Sequence, residues 1–88
     1  MHAVVFEVDI KQDWEGDADR ELDQLASMMK SIPSFVRGSW ASDGTRGISF
    51  IVFESEETAR GVAANASMPA TASVTFRNVG VYEIAREA

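Results

Sequence analysis

The chain has no cysteine and a single histidine among its 88 residues. Disulfide frameworks, thiolate zinc sites and cysteine nucleophiles are therefore excluded, and a reducing compartment is permitted. It carries only eight lysines and arginines against fourteen aspartates and glutamates, and those bases are scattered. Nucleic-acid binding needs basic groups concentrated enough to neutralise neighbouring phosphates, so no nucleic-acid partner is expected. No apolar run approaches the roughly 20 residues that cross a bilayer as a helix. The first residues also lack the basic stretch of a signal peptide. The expectation is a cytoplasmic protein without a membrane partner.

What is present is an ordinary globular mixture, 45% hydrophobic and 25% charged, which indicates a folded chain rather than a disordered one. Residues 1–88 read as one domain, because two folding units would each have too little apolar surface to offset their chain entropy. The net charge of −6 is concentrated. Glu7, Asp9, Asp13, Glu15, Asp17, Asp19, Glu21 and Asp23 face only Lys11 and Arg20 in that window, and the rest of the chain is balanced.

The hydropathy pattern predicts six elements. From His2 to Lys11 apolar residues alternate, with His2, Val4, Phe6, Val8 and Ile10 on the drier face of a strand. Ala18, Leu22, Leu25, Met28, Met29 and Ile32 then recur at helical spacing, giving a helix over about 18–32. Asp17 is its expected N-cap, and Asp19 and Glu21 suit its positive end. Phe35–Ser42 and Gly47–Glu54 read as strands joined by a tight turn at Asp43-Gly44. Ile48 to Phe53 is apolar on both faces, the mark of a central strand covered on both sides. Ser55 caps a second helix, ending near Met68-Pro69, whose inner stripe is Ala59, Val62, Ala63 and Ala66. A last strand over Ser73–Ala85 changes phase between Phe76 and Val79, which predicts a bulge near Gly80.

The order βαββαβ defines an α+β, ferredoxin-like fold, a four-stranded antiparallel sheet with both helices on one face. The other face lacks a cover. Since Phe50, Ile51, Val52 and Phe53 cannot all point at the helices, a homodimer through the open sheet face is expected.

Pro33-Ser34-Phe35-Val36 and the run from Asp43-Gly44-Thr45 through Phe53-Glu54-Ser55-Glu56-Glu57 resemble the dimeric α/β-barrel superfamily, in its branch related to antibiotic-biosynthesis monooxygenases. The likeness spans nearly the whole chain. It implies two sheets facing each other across a dimer and a ligand cavity between each sheet and its own helices. The family's second strand opens on Pro-Gly-Phe, where this chain has Pro33-Ser34-Phe35. The cofactor-free oxygenases of the branch carry an asparagine and a tryptophan where this chain has Ser49 and Phe53, and a tyrosine where it has Ala59. The changes discard the amide, the indole N–H and the phenol there, groups able to orient a substrate oxygen. Haem degraders of the superfamily use a histidine on the second helix, whereas the histidine here is His2 on the first strand, read as a solvent-accessible terminal side chain.

Other constellations have simpler readings. Asp13, Glu15, Asp17 and Asp19 resemble a calcium loop, but the sixth and twelfth places from Asp13 hold Ala18 and Gln24 rather than glycine and glutamate. A solvated acidic helix entrance is the expectation, and no metal site is assigned. Trp40 is placed by alternation on the face opposite Arg37 and is expected to pack in the dimer interface. Trp14, in a connection, reads as a hydrophobic plug over the helix-side cavity. Arg77 and Asn78 are expected to satisfy the bulge and strand edge. Met28, Met29 and Met68 read as core filling, and Ser49 lacks the base and elbow of a hydrolase nucleophile.

The resulting expectation is a homodimeric α/β barrel that binds a small, largely apolar molecule. No catalytic residues and no cofactor are assigned. The ligand-binding positions are Arg37, Ser49, Phe53 and Ala59. The alternative is a cofactor-independent monooxygenase of a phenol or quinol, in which the substrate's own carbanion reduces oxygen. A third reading is an interaction module that presents an acidic surface.

Overall fold

The computed structural model describes residues 1–88. It contains β1 (His2–Ile10), α1 (Ala18–Lys30), β2 (Phe35–Ser42), β3 (Arg46–Phe53), α2 (Glu56–Asn65) and β4 (Val74–Glu83). The four strands form one antiparallel sheet in the order β2-β3-β1-β4. This is the ferredoxin-like βαββαβ arrangement expected from the sequence. No helix is long and apolar enough to cross a membrane.

The caps form as the residue types dictate. The Asp17 carboxylate accepts from the Arg20 N–H at the start of α1, and the Ser55 hydroxyl from the Thr58 N–H at the start of α2. Both helices end earlier than expected. At Ser31 the backbone N–H is shared between the Ser27 and Met28 carbonyls, tightening the last turn, while the Ser31 hydroxyl also donates to Met28 at 2.6 Å. In α2, the Asn65 side-chain amide takes the Gly61 carbonyl, and Ala66 turns extended. A side chain that competes for a helical carbonyl favours termination. The hairpin turn is held by Asp43, whose carboxylate accepts from the Thr45 and Arg46 N–H groups at 2.9 and 2.8 Å. These backbone bonds, Arg46 first, hold the Asp43 carboxyl below its ordinary pKa.

Registers show which side chains share a face. Across β2, β3, β1 and β4, the rows Gly38–Ile51–Val4–Val81, Trp40–Ser49–Phe6–Val79 and Ser42–Gly47–Val8–Phe76 all point toward the helices. Val4, Phe6, Ile51 and Phe53 join Met29 of α1 and Ala59 of α2 in a single buried core, so both helices cover the same face. Phe6 stacks on Phe76 and Phe35 meets Phe53 edge to face, with ring centroids 5.5 and 6.2 Å apart.

Two bulges break the alternation. In β4 the extra residue is Arg77, so Phe76 and Val79 both face the helices. The expected phase change is therefore present, three residues before Gly80. Arg77 reaches Asp9 and Asn78 reaches Glu7 on the far face, the structural use expected of them. The second bulge, at Val36 and Arg37, was not anticipated. Phe35 pairs with Phe53 and Arg37 with Val52, two steps on β2 for one on β3. That extra residue reverses the faces beyond it. Arg37 points away from the helices and Trp40 toward them, which corrects the expectation that Trp40 packs in a dimer interface.

The far face is partly covered by the chain's own end. The Ile84 N–H donates to the Met1 carbonyl, and Glu87, on the segment after the β4 edge strand, forms an ion pair with Arg37 on the opposite edge. Beneath this segment Ala3 and Val52 are buried. Ile48, Phe50 and Tyr82, on the same face, stay 46%, 40% and 54% exposed.

Ser34 is the only non-glycine residue with a positive φ, +70°, a region that costs an L residue about 1–2 kcal/mol. Its hydroxyl is buried without a partner, while its carbonyl accepts from the Glu54 N–H. Glycine adopts this conformation freely and removes the orphaned hydroxyl. Ser34→Gly is therefore expected to stabilise the fold by about 1 kcal/mol, a rise in Tm of roughly 4–8 °C. An unchanged or lower Tm in a thermal melt would show that the strain is relieved elsewhere.

Candidate functional site

Between the sheet and the helices lies a cavity of about 780 Å³, inside the roughly 300–1,000 Å³ range of small-molecule sites. It arises from the way the two helices meet the sheet. α2 packs over β1, β3 and β4, while α1 meets the sheet through β2. Alanine at position 59 brings α2 into close contact, and Ala59 is fully buried. The apolar stripe of α1 has no comparable support. Leu22 and Met28 are 42% and 52% exposed, yet Ala18, Leu22, Leu25, Met28, Met29 and Ile32 all line the cavity.

The floor is the central part of the sheet. Trp40, Ser49 and Phe6 lie side by side in register, and Phe76, Val8, Ile51 and Gly47 surround them. A Cβ on Gly38 would meet the Trp40 ring at 3.0 Å, so the indole lies across that glycine. The α2 side contributes Val62, Asn65 and Ala66, followed by Ser67 and Met68. Of the 29 lining residues 19 are hydrophobic, so the cavity wall is mainly apolar.

One end of the cavity is bounded where two connections meet. The Trp14 indole N–H donates to the Thr71 carbonyl at 2.8 Å, and the Lys11 ammonium to the Ala70 carbonyl at 2.6 Å. The Glu21 carboxylate accepts from the Ser73 N–H at 3.0 Å and from the Ser73 hydroxyl. Trp14, expected as a plug, does line the cavity. Its ring folds back onto Gly16, where any Cβ would collide with it.

The sequence-derived positions separate. Ser49 lies on the cavity wall. Phe53 and Ala59 are fully buried in the core where α2 sits on the sheet, not at the cavity surface. Arg37 belongs to the other face because of the β2 bulge, and pairs with Glu87. Expecting Arg37 beside the cavity is thus corrected by one extra residue in β2. Met28, expected as core filling, is instead exposed and lines the cavity with Leu22, whereas Met29 is buried in the core as expected.

His2 also differs from expectation. Its side chain is only 16% exposed, and Nε2 lies 3.8 Å from Glu56 Oε2. Its Nδ1 is buried without a partner. Arg60 hydrogen-bonds Glu56 and, with its charge and that of His2, keeps the carboxyl below its ordinary pKa. None of these three residues lines the cavity. No three histidine, aspartate or glutamate side chains converge to hold a metal ion.

No known family model matches the sequence, and no curated protein matches it. Among solved structures it is similar to the haem degrader MhuD from Mycobacterium tuberculosis, determined with two haems bound in its active site. The TM-score is 0.71, covering 100% of this chain and 99% of that one, at 14% identity. What the two share is a fold. The match extends over all six elements, in agreement with the architecture implied by the sequence resemblance.

Trp14 offers a direct check on this end of the cavity. Gly16→Ala is expected to displace the indole, cutting its bond to Thr71 and shifting tryptophan emission to longer wavelength, with helix content preserved by far-UV circular dichroism. Unchanged emission would mean that Trp14 does not hold this position in solution.

Proposed function

We propose that this chain is a small-molecule-binding protein whose ligand is largely apolar and occupies the space between the sheet and α1. The single observation that carries this reading is the α1 stripe. An amphipathic helix normally buries such a stripe against its own sheet, yet here the stripe lines a cavity of about 780 Å³ with Leu22 and Met28 exposed. Filling that space would remove apolar surface from water at roughly 25 cal/mol per Å².

The fold neighbour binds haem, so haem must be tested against these residues. The cavity wall holds no histidine, cysteine or tyrosine, and His2 lies outside it. Met28, Met29 and Met68 are its sulfur donors, and methionine ligates haem iron as the partner of a histidine. These residues do not fit haem.

Cofactor-independent oxygenation of a phenol or quinol is the second reading. Trp40 and the stacked Phe6 and Phe76 offer faces for a planar ring. That chemistry also needs a group to take the phenolic proton. The one carboxylate on the wall, Glu21, is held by Ser73, and Lys11 by Ala70. Binding without catalysis is therefore the better-supported reading.

We further propose a homodimer through the helix-free face. Ile48, Phe50 and Tyr82 form exposed apolar surface there, the kind that a second copy covers.

Two measurements test these statements. N-phenyl-1-naphthylamine, a neutral fluorophore, is expected to bind saturably at one site per chain. Leu25→Arg should abolish binding, and a panel of quinols should show no oxygen uptake above buffer. Absence of saturable binding would remove the ligand reading, and turnover of a quinol would promote the second one. By sedimentation, Phe50→Asp is expected to turn a dimer into a monomer while retaining probe binding. A wild-type protein that is monomeric at all concentrations would sink the dimer.

A further inference from the structure

We infer that the cavity selects uncharged ligands, rejects anionic ones of the same shape, and receives one neutral polar group of its ligand at the Ser49 hydroxyl. This deepens the binding reading and rests on it.

The first support is the balance of charge on the wall. Lys11 and Glu21 are the only charged residues lining the cavity. Both are engaged by the 70–73 segment, Lys11 by the Ala70 carbonyl and Glu21 by the Ser73 N–H and hydroxyl. Their charges cancel in sum, so the wall has no net attraction for an anion, and an unpaired charge loses several kcal/mol of hydration on entering an apolar site.

The second support is the acidic segment that bounds one end of the cavity. Lys11, Trp14, Ala18, Glu21 and Leu22 belong to the window that holds the whole excess of negative charge. Asp13, Glu15, Asp17 and Asp19 are exposed along it. A helix N-terminus ordinarily attracts anions, but Asp17 caps this one and Asp19 and Glu21 occupy its first turn. That end of the cavity is consequently repulsive to anions, over a distance that salt shortens to about 10 Å at 0.1 M.

The third support is Ser49 itself. It sits half-buried in the row between Trp40 and Phe6, lines the cavity, and its hydroxyl engages no protein group. A hydroxyl can donate or accept, so one alcohol, carbonyl or amide function of a ligand would satisfy it. A neutral hydrogen bond of this kind contributes about 0.5–1.5 kcal/mol.

Calorimetry with naphthalene, 2-naphthol and 2-naphthoate at neutral pH tests the inference on three molecules of one shape. Naphthol is expected to bind at least about tenfold more tightly than naphthoate. In Asp13→Asn/Glu15→Gln/Asp19→Asn, and at high salt, that gap should narrow without closing. Ser49→Ala is expected to weaken naphthol about fivefold and leave naphthalene unchanged. Naphthoate binding as tightly as naphthol would overturn the charge selection. Equal effects of Ser49→Ala on naphthol and naphthalene would overturn the role of Ser49. If none of the three binds, the binding reading itself fails.

Discussion

A sheet that is apolar on both faces, with helices for only one of them, is the constraint behind the rest of this structure. It originates in β3, where Ile48, Phe50 and Val52 alternate with Ser49, Ile51 and Phe53. β3 lies between β2 and β1, so neither face can be relegated to an edge. On the helix side Ile51 and Phe53 are buried, and on the far side Val52 is buried beneath the chain's terminal segment. That segment, anchored at one end by Met1 and at the other by an exposed ion pair, covers only one end of the face. Exposed pairs contribute little by themselves, so the covering is held as much by Ala3 and Val52 as by Arg37 and Glu87. The uncovered end, with Ile48 and Phe50, is where surface remains to be buried.

The helix side is also incompletely filled, for a different reason. Ala59, Val62, Ala63 and Ala66 let α2 approach closely, so the sheet and α2 form a dense block. Trp40 and Phe76, farther along the sheet, line the open space beside α1. The helix is held at Met29 and Ile32, near its C-terminus, and at Glu21 through Ser73. Between these attachments Leu22, Leu25 and Met28 face open space. Burying a leucine or methionine side chain contributes about 1.5–3 kcal/mol, so the protein forgoes stabilisation that a bound apolar molecule would restore. Side chains sized to close the gap would make the cavity disappear, which is why an open cavity is more informative than its volume.

Much of this architecture is legible in the sequence because the signals are redundant. α1 has a cap, a charge gradient and six apolar positions on one stripe; the hairpin has Asp43-Gly44 between two strand patterns. The β4 bulge was visible because Phe76 and Val79 are both large and their spacing breaks the alternation. The β2 bulge was not. Around it stand Val36, Gly38, Ser39, Ala41 and Ser42, residues that either face accepts, so hydropathy could not fix the phase. One residue of slip transfers every later side chain to the other face, and Arg37 and Trp40 changed places for that reason alone. Phe53 and Ala59 were read as cavity positions by resemblance to a family whose side chains there are polar. Here they are apolar, and they close the core instead. The wall role of Leu22 and Met28 had no separate signature, since a stripe facing a cavity and a stripe facing a core have the same period.

Fold and chemistry part at this point. A ferredoxin-like chain can share its architecture with a haem degrader at 14% identity, and the reaction still depends on side chains that such a likeness does not transfer. In this chain the reactive residue types near the cavity are tied to architecture. Lys11 and Trp14 of the β1–α1 connection and Glu21 in the first turn of α1 are fastened to residues 70–73, at the end of the sheet where β4 begins. His2 lies at the other end, facing Glu56. Glu21 and Lys11 each satisfy a backbone group of this segment, and losing such a bond costs about 1–3 kcal/mol. The arrangement leaves a wall that is mainly apolar and uncharged in sum, its charged side chains spent on holding the fold together.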